Sequence, residues 1–317
     1  MTDWPPGSED CNRYTRIIIA EALERGIGVE VLDGGRGELR PSLGDRTVST
    51  IESMSELTSA VAFRRCDHKL LTRQILERAG LRVSPGRQAS FDDADLEFLD
   101  EYEDIVVKPA KGEQGWGITV GVTDAGALER AIVAARTIHD EVVLEARQDG
   151  DDLRVIVIDG AVVAASVRRP ATVTSNGTDT VGQLITELSD QRSLATDGAS
   201  RVPLDDATLE VVSAAGVTFE TVLEDGRELP VRRTANLHTG GTMHDVTEVL
   251  HPTLVDASIA AAKAIEIPVA GIDFIVVAAD QPEYTIIEVN EQPGLANHEP
   301  QPTVERFVDL LFPETVR

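Results

Sequence analysis

Between Gly271 and Asn290 the chain reads GIDFIVVAADQPEYTIIEVN, two stretches rich in β-branched and aromatic residues on either side of a polar turn. That pattern predicts a β-hairpin. Its strands are so apolar that they must be buried, yet they carry two acids. With the turn centred between Asp280 and Gln281, Asp273 and Glu288 stand directly opposite each other. Cross-strand Cβ atoms are then about 4.5–5.5 Å apart, and like charges so placed repel. Asn290 lies two residues beyond Glu288 and projects from the same face. Two buried carboxylates and an amide oxygen converging in this way form a hard-oxygen site suited to Mg²⁺. The competing reading is a solvated hairpin face whose acids repel weakly. Register decides between them, since a one-residue slip sends every side chain to the other face.

The rest of the chain alternates hairpins with helices. Residues 12–25 predict a helix, VEVLD at 29–33 a strand, and the regions near 37–40 and 46–50 short strands. A helix is predicted over 53–65, with Ser53 and Glu56 at capping-box spacing. Another runs over 68–79, capped by Asp67 and stopped by Gly80. IVVKPA and ITVGV flank the glycine-rich KGEQGWG as a second hairpin, followed by a helix over 124–138 and a strand over 141–145. LRVIVIDGAVVAASVRR is a further hairpin turning at Asp159-Gly160. Residues 171–235 form an excursion: a polar loop, a helix near 180–191 and a Gly/Asp-rich stretch. A helix over 252–265 leads back to the hairpin of acids. This alternation predicts an α+β fold of two lobes rather than a doubly wound parallel sheet, and 317 residues suffice for about two such bodies.

Composition narrows the function. Aromatics are only 4% of the chain, so the core rests on Val, Ile, Leu and Ala. No run approaches the roughly 18 apolar residues that span a bilayer, and the polar start MTDWPPGSEDCNRY lacks signal-peptide character. Two cysteines, Cys11 and Cys66, make neither a disulfide framework nor a CxxC metal motif, which points to a reducing cytoplasm. A net charge of −26 argues against nucleic acid or an anionic membrane as partner. Any phosphate site in such a chain must create its own positive field, so well-placed cations stand out. Lys108 ends a strand and is followed by Gly112, Gly115 and Gly117, whose lack of side chains lets backbone N–H groups approach phosphate. The spacing is not that of a P-loop, and an ordinary hairpin tip has the same look. Lys69 starts a helix, where most lysines are solvated; Glu145 closes a strand; Asp152 and Arg154 share one face of the next. For each acid a surface ion pair is as good a reading as a nucleotide contact. RRTANLHTGGTMHD at 232–245 reads as a functional loop, and the spacing of His238 and His244 favours loop contacts over zinc. Hydrolase, metalloprotease and dehydrogenase motifs are missing.

In order, the segments SELTSAVAFRRCDHKLLTRQILERAG, VVKPAKGEQGWGITVGV, VVLEARQDGDDLRVIVIDGAVVAASVRRPA, RRTANLHTGGTMHDVTEVLHP, GIDFIVV and IIEVNEQPGLANHEPQP resemble the ATP-grasp family, from about Ser53 to Pro313. Within it, RTANLHTGG, the Asp-Leu-Arg strand and PGLANHEPQP most resemble the ligase part of N-acetylglutaminylglutamine synthetases. Cyanophycin synthetases and fused glutathione synthetases are similar but more distant. The resemblance implies two α+β lobes clamping a nucleotide: a reduced N-terminal lobe at 1–64 and an ATP-grasp domain at 65–317. That domain comprises a central lobe at about 82–146 and a C-terminal lobe at about 147–317. It implies ATP and Mg²⁺ as cofactors, with two ions and Mn²⁺ as a substitute, and a carboxylate and an amine as small-molecule substrates. Lys69 and Lys108 then match the phosphate lysines, and Glu113, Gly115 and Gly117 the loop over the phosphates. Glu145, Ala146 and Arg147 match the adenine hinge, Asp152 the ribose acid, and Asp273, Glu288 and Asn290 the metal ligands. Arg154, Arg233 and Asn236 match the groups near the transferred phosphoryl. Two departures accompany these matches. The relatives carry a full N-terminal lobe, and the most similar family an acetyltransferase domain as well. Where several ATP-grasp enzymes have an Arg two residues before the first metal Asp, this chain has Gly271, leaving Arg168 or Arg233 to supply the charge. The implied activity is an ADP-forming carboxylate–amine ligase working through an acyl phosphate, and the relatives imply a homo-oligomer, dimer or tetramer. A non-catalytic ATP-binding subunit and a phosphotransferase that stops at a phosphorylated product are the alternatives.

Overall fold

The computed structural model describes residues 4–112, 115–196, 198, 200–296 and 298–316. Its chain divides into two units, Met1–Ser166 with Asp245–Arg317, and Val167–His244. In the first unit, α1 (Arg13–Glu24) starts at Asn12, whose side chain accepts the Thr15 N–H. Its Ile18, Ile19 and Ala22 face a core shared with Leu39, Val48, Phe307 and Leu311. A small sheet follows from β1 (Gly28–Asp33), β2 (Glu38–Leu43), β3 (Arg46–Thr47), β4 (Thr50–Ile51) and β5 (Met54–Ser55), in the order β1-β2-β4-β5 with β3 on β2.

Here the structure departs from the predicted helix over 53–65. The Ser53 hydroxyl donates to the Pro293 carbonyl at 2.6 Å, and the Glu56 carboxylate accepts the Ser49 N–H at 3.0 Å. Both capping-box groups are thus spent elsewhere. The helix, α2 (Ala60–Asp67), starts instead at Ser59, whose side chain accepts the Ala62 N–H. Helix α3 (Lys69–Arg78) follows one residue later, with His68 at its N-cap and no side-chain cap bond. Asp67, the predicted cap, pairs with Lys111 instead.

The next segment builds an antiparallel sheet: β6 (Gly86–Gln88), α4 (Asp93–Tyr102), β7 (Ile105–Pro109), β8 (Thr119–Val122), α5 (Ala125–Arg136) and β9 (Val142–Ala146), in the order β6-β9-β7-β8. Phe98 and Leu99 of α4 and Leu128, Ile132 and Ala135 of α5 cover one face, against Ile105, Val107, Val142 and Leu144. Strand alternation puts Lys108 and Glu145 on the opposite face. The hairpin of β10 (Asp151–Ile158) and β11 (Ala161–Arg169) turns where expected. Asp159 and Gly160 have φ of 51° and 73°, the left-handed pair that matches strand twist.

The second unit holds β12 (Thr172–Thr174), α6 (Val181–Ala195), α7 (Asp206–Ala214) and β13 (Glu228–Pro230), which pairs antiparallel with β12; β14 (Thr242–Asp245) begins in it and ends on Asp245 of the first unit. Helix α6 opens on a capping box of Thr180 and Gln183. Helix α7 lies in the stretch that read only as Gly/Asp-rich; Asp205 caps it by accepting the Thr208 N–H. The unit has its own core of Val173, Val181, Ile185, Val212, Leu229 and Val231.

Back in the first unit, α8 (Pro252–Ile265) occupies the predicted bounds, followed by β15 (Val269–Val276), β16 (Tyr284–Asn290) and α9 (Thr303–Leu311). Strand β15 lies between β10 and β16, antiparallel to both, in a sheet of order β14-β11-β10-β15-β16. No helix among the described residues is long and apolar enough to cross a membrane. The charge of −26 repels itself most in the folded state, and salt screens such repulsion over about 8 Å at 0.15 M. The thermal unfolding midpoint, followed by circular dichroism, should therefore rise by several degrees between about 0.02 and about 0.5 M KCl. A falling midpoint would mean that exposed ion pairs outweigh the net repulsion.

Candidate nucleotide and metal site

Strand β16 leaves its turn with Val276 opposite Tyr284 and Phe274 opposite Ile286. Continued unchanged, that register would set Glu288 against Ile272 and turn its side chain to the other face. A bulge intervenes: Ile287 is the extra residue, the register shifts between Asp273 and Phe274, and Asp273 pairs with Glu288. The turn is therefore centred on Asp280 rather than between Asp280 and Gln281, and the bulge restores the predicted opposition. Asn290 follows on the same face, opposite Gly271.

On its other side β15 meets β10, where Arg154 stands opposite Asp273. The guanidinium Nε and Nη2 each donate to one carboxylate oxygen at 2.7 Å, a bidentate pair. Asn290 Nδ2 donates to the same carboxylate at 3.3 Å. A Cβ on Gly271 would meet Pro293 Cβ at 3.0 Å and lie 3.7 Å from Arg154 Nε. The cation beside Asp273 thus comes from across the sheet, next to the position where an arginine is missing. Asp152 sits two residues before Arg154 on the same face of β10, opposite Ile275.

The lysines are built in from other elements. The Lys69 N–H donates to the Ala110 carbonyl at 2.9 Å. Its Nζ donates to the Gly112 carbonyl at 2.9 Å and lies 3.2 Å from Glu288 Oε1. Lys108 Nζ lies 2.6 Å from Glu145 Oε2, with Lys108 only 3% exposed and Glu145 7%. At the hinge, the N–H groups of Ala146 and Arg147 donate to the carbonyls of Pro85 and Asp104. Gly115 and Gly117 adopt left-handed φ of 81° and 70°; Glu113 lies outside the described residues. Arg233 and Asn236 belong to the second unit, where Arg233 pairs with Glu210 at 3.1 Å and Asn236 Oδ1 accepts the His238 N–H at 2.8 Å.

Each acid assigned to metal or adenine thus carries a cationic side chain: Asp273 has Arg154, Glu288 has Lys69 and Glu145 has Lys108. No cluster of three or more His, Cys, Asp or Glu gathers for a metal among the described residues. The candidate centre therefore rests on two carboxylates and an amide. These hard oxygen donors, already arranged against positive charge, fit Mg²⁺.

Sequence reading missed two residues here. Arg73 lies one turn after Lys69 on α3, a spacing that puts both on one helix face. His298, 3% exposed, lies with its Nδ1 3.0 Å from Ser166 Oγ. Burial, with the nearby Arg154 charge, pushes its imidazole down to about 4.

The model of the RimK-like ATP-grasp domain matches residues 66–215 and 218–308. The chain belongs to this family. It is 33% identical over 316 residues to the cyanophycin synthetase of Nostoc sp., covering 94% of this chain and 35% of that protein. To the glutathione biosynthesis bifunctional protein GshAB of Listeria innocua it is 30% identical over 327 residues, covering 96% and 42%. It thus spans well under half the length of these curated relatives. The crystal structure of a bifunctional glutathione synthetase from Pasteurella multocida has the same fold, with a TM-score of 0.69 at 22% identity over 98% of this chain and 45% of that one.

Two outcomes follow from these pairings. Arg154→Met strands the buried Asp273 carboxylate and should cost about 3 kcal/mol of stability in urea unfolding, part of which Asp273→Asn restores in the double variant. Neutral His298 contributes stability that is complete above its unfolded value of 6.5 and is lost as pH falls through about 4. Urea midpoints of His298→Asn should therefore fall less steeply than those of the unaltered chain between these pH values. Parallel curves would show that His298 is not the group responsible.

Proposed function

We propose that this chain is an ATP-dependent carboxylate–amine ligase that forms a peptide-like amide through an acyl phosphate, on amino-acid or N-acylamino-acid substrates. The observation that carries the proposal is the meeting of Asp273, Glu288 and Asn290 with Arg154 and Lys69 on β10, β15, β16 and α3. In the first step a substrate carboxylate oxygen attacks the γ-phosphorus of ATP and ADP leaves. In the second an amine nitrogen attacks the acyl carbon, phosphate leaves and the nitrogen releases a proton.

The chain's part is positioning and neutralisation of charge. Lys69 and Lys108 hold phosphate oxygens, Glu145, Ala146 and Arg147 the adenine, and Asp152 the ribose. Asp273, Glu288 and Asn290 would hold Mg²⁺, which supplies Lewis-acid neutralisation of phosphate charge when bound. Arg154 serves the transferred phosphoryl. The loop with Gly112, Gly115 and Gly117 excludes water that would hydrolyse the acyl phosphate. Nucleotide and metal must replace the present partners of these side chains, so binding is an exchange of ion pairs rather than a filling of unpaired charges. Cys11 and Cys66, both buried and unpaired, are in keeping with a reducing cytoplasm.

The relatives named cyanophycin synthetase and glutathione biosynthesis protein support amino-acid substrates. The runs RTANLHTGG and PGLANHEPQP make N-acetylglutamine plus glutamine the first pair to try. ADP and phosphate release should require a carboxylate, an amine and Mg²⁺ together, and stop with EDTA. Asp273→Ala and Lys108→Ala should each lower kcat by about a thousandfold or more. ADP release indifferent to any amine would sink the ligase reading. Phosphate left on the product would indicate a phosphotransferase, and ATP binding without turnover across the panel a non-catalytic subunit.

A further inference from the structure

Arg73 is a buried cation that the reaction as proposed does not use. Its side chain is only 10% exposed, and its Nη2 is held by Glu77 Oε1 at 2.8 Å. Its Nη1 is sealed from water and has no hydrogen-bond partner among the described residues. The Glu145 Oε1 atom lies 3.9 Å away, beyond hydrogen-bond range. A donor buried without an acceptor is unfavourable, so its persistence calls for a use.

Arg73 lines a small, partly open cavity together with Lys69, Thr72, Leu76, Val83, Glu145 and Ile286, among others. Gly86 makes room for it. A Cβ there would lie 2.6 Å from Nη1, 2.6 Å from the Leu144 carbonyl and 2.8 Å from Glu145 Cγ. Any larger residue at 86 would therefore push the guanidinium away from the carboxylate. Glu145 thus lies between two cations: Lys108 holds Oε2 at 2.6 Å, and Arg73 waits at 3.9 Å from Oε1.

Lys108 has one ammonium group for two tasks. Drawn to phosphate oxygens, it loosens its hold on a carboxylate that is almost fully buried, and a buried charge left without a partner is strongly disfavoured. A movement of about 1 Å brings Nη1 into hydrogen-bond range of Glu145. That movement also satisfies the orphan donor. We infer that Arg73 is a positioning residue of the nucleotide site, taking over as counter-charge to Glu145 when Lys108 turns to the nucleotide phosphates. The inference rests on the ligase reading in needing a nucleotide on Lys108.

The test is calorimetric titration of the full chain with ADP and Mg²⁺, alongside thermal unfolding without nucleotide. Arg73→Gln should weaken ADP binding about ten- to a hundredfold, the worth of one charge-assisted hydrogen bond. Arg73→Lys should recover most of the loss, and the nucleotide-free melting temperature should barely move. In a Glu145→Gln background Arg73→Gln should have no further effect, because a neutral amide needs no counter-charge. Equal losses in both backgrounds, no loss at all, or a matching fall in nucleotide-free stability would overturn the inference. If Glu145→Gln binds too weakly to measure, failure of Arg73→Lys to recover binding overturns it. An unaltered chain that binds no nucleotide defeats the functional proposal and this inference together. An unaltered chain that binds ADP no better than Arg73→Gln defeats the inference alone.

Discussion

Asp273 sits buried on β15, an interior strand of its sheet, and a carboxylate there must be given positive charge or lose a large share of the stability of a single domain. Its neighbours on both sides meet that demand. β10 brings Arg154 opposite, with two hydrogen bonds of 2.7 Å, and β16 brings the Asn290 amide. The requirement fixes which residue of β10 faces which residue of β15, so one ion pair specifies both the register of the sheet and the composition of the site. Glu288 and Lys69 repeat the arrangement at the next position, and Lys108 and Glu145 repeat it on a different sheet.

What could be read in the sequence was whatever depends on neighbours in the chain. Alternation assigned Asp152 and Arg154 to one face, the Asp159-Gly160 turn followed from its own two residues, and α8 kept its bounds because its apolar spacing and Pro252 are local. What could not be read depends on partners far away. Ser53 looks like a helix cap until Pro293, 240 residues on, takes its hydroxyl. Asp67 looks like another until Lys111 claims it. Arg73 was a surface-looking member of KLLTRQILER, and only the meeting of α3 with Gly86 and Glu145 reveals a buried guanidinium. The Lys69-to-Arg73 spacing was the one signal that pointed there.

A chain of net charge −26 would be expected to repel a polyphosphate. The first unit counters this locally by setting aside a few cations and sheltering them on acids. Paired in this way they cost less to bury than they would alone, and they need only change partners to act. The acids are as necessary as the lysines, because each stores a positive charge in a place where an unpaired one could not persist.

The bulge at Ile287 carries a further lesson about how such a hairpin can diverge. The extra residue moves every position beyond it by one against the partner strand, and Glu288 comes opposite Asp273 because of it. Bulge and acid position therefore form one linked character. With the flanking pairs unchanged, a related chain that lacks the bulge keeps its acids opposed only if its second acid stands one position earlier. Matching such a chain without a gap at Ile287 would misalign Glu288 by one position, and with it the inside and outside of the strand.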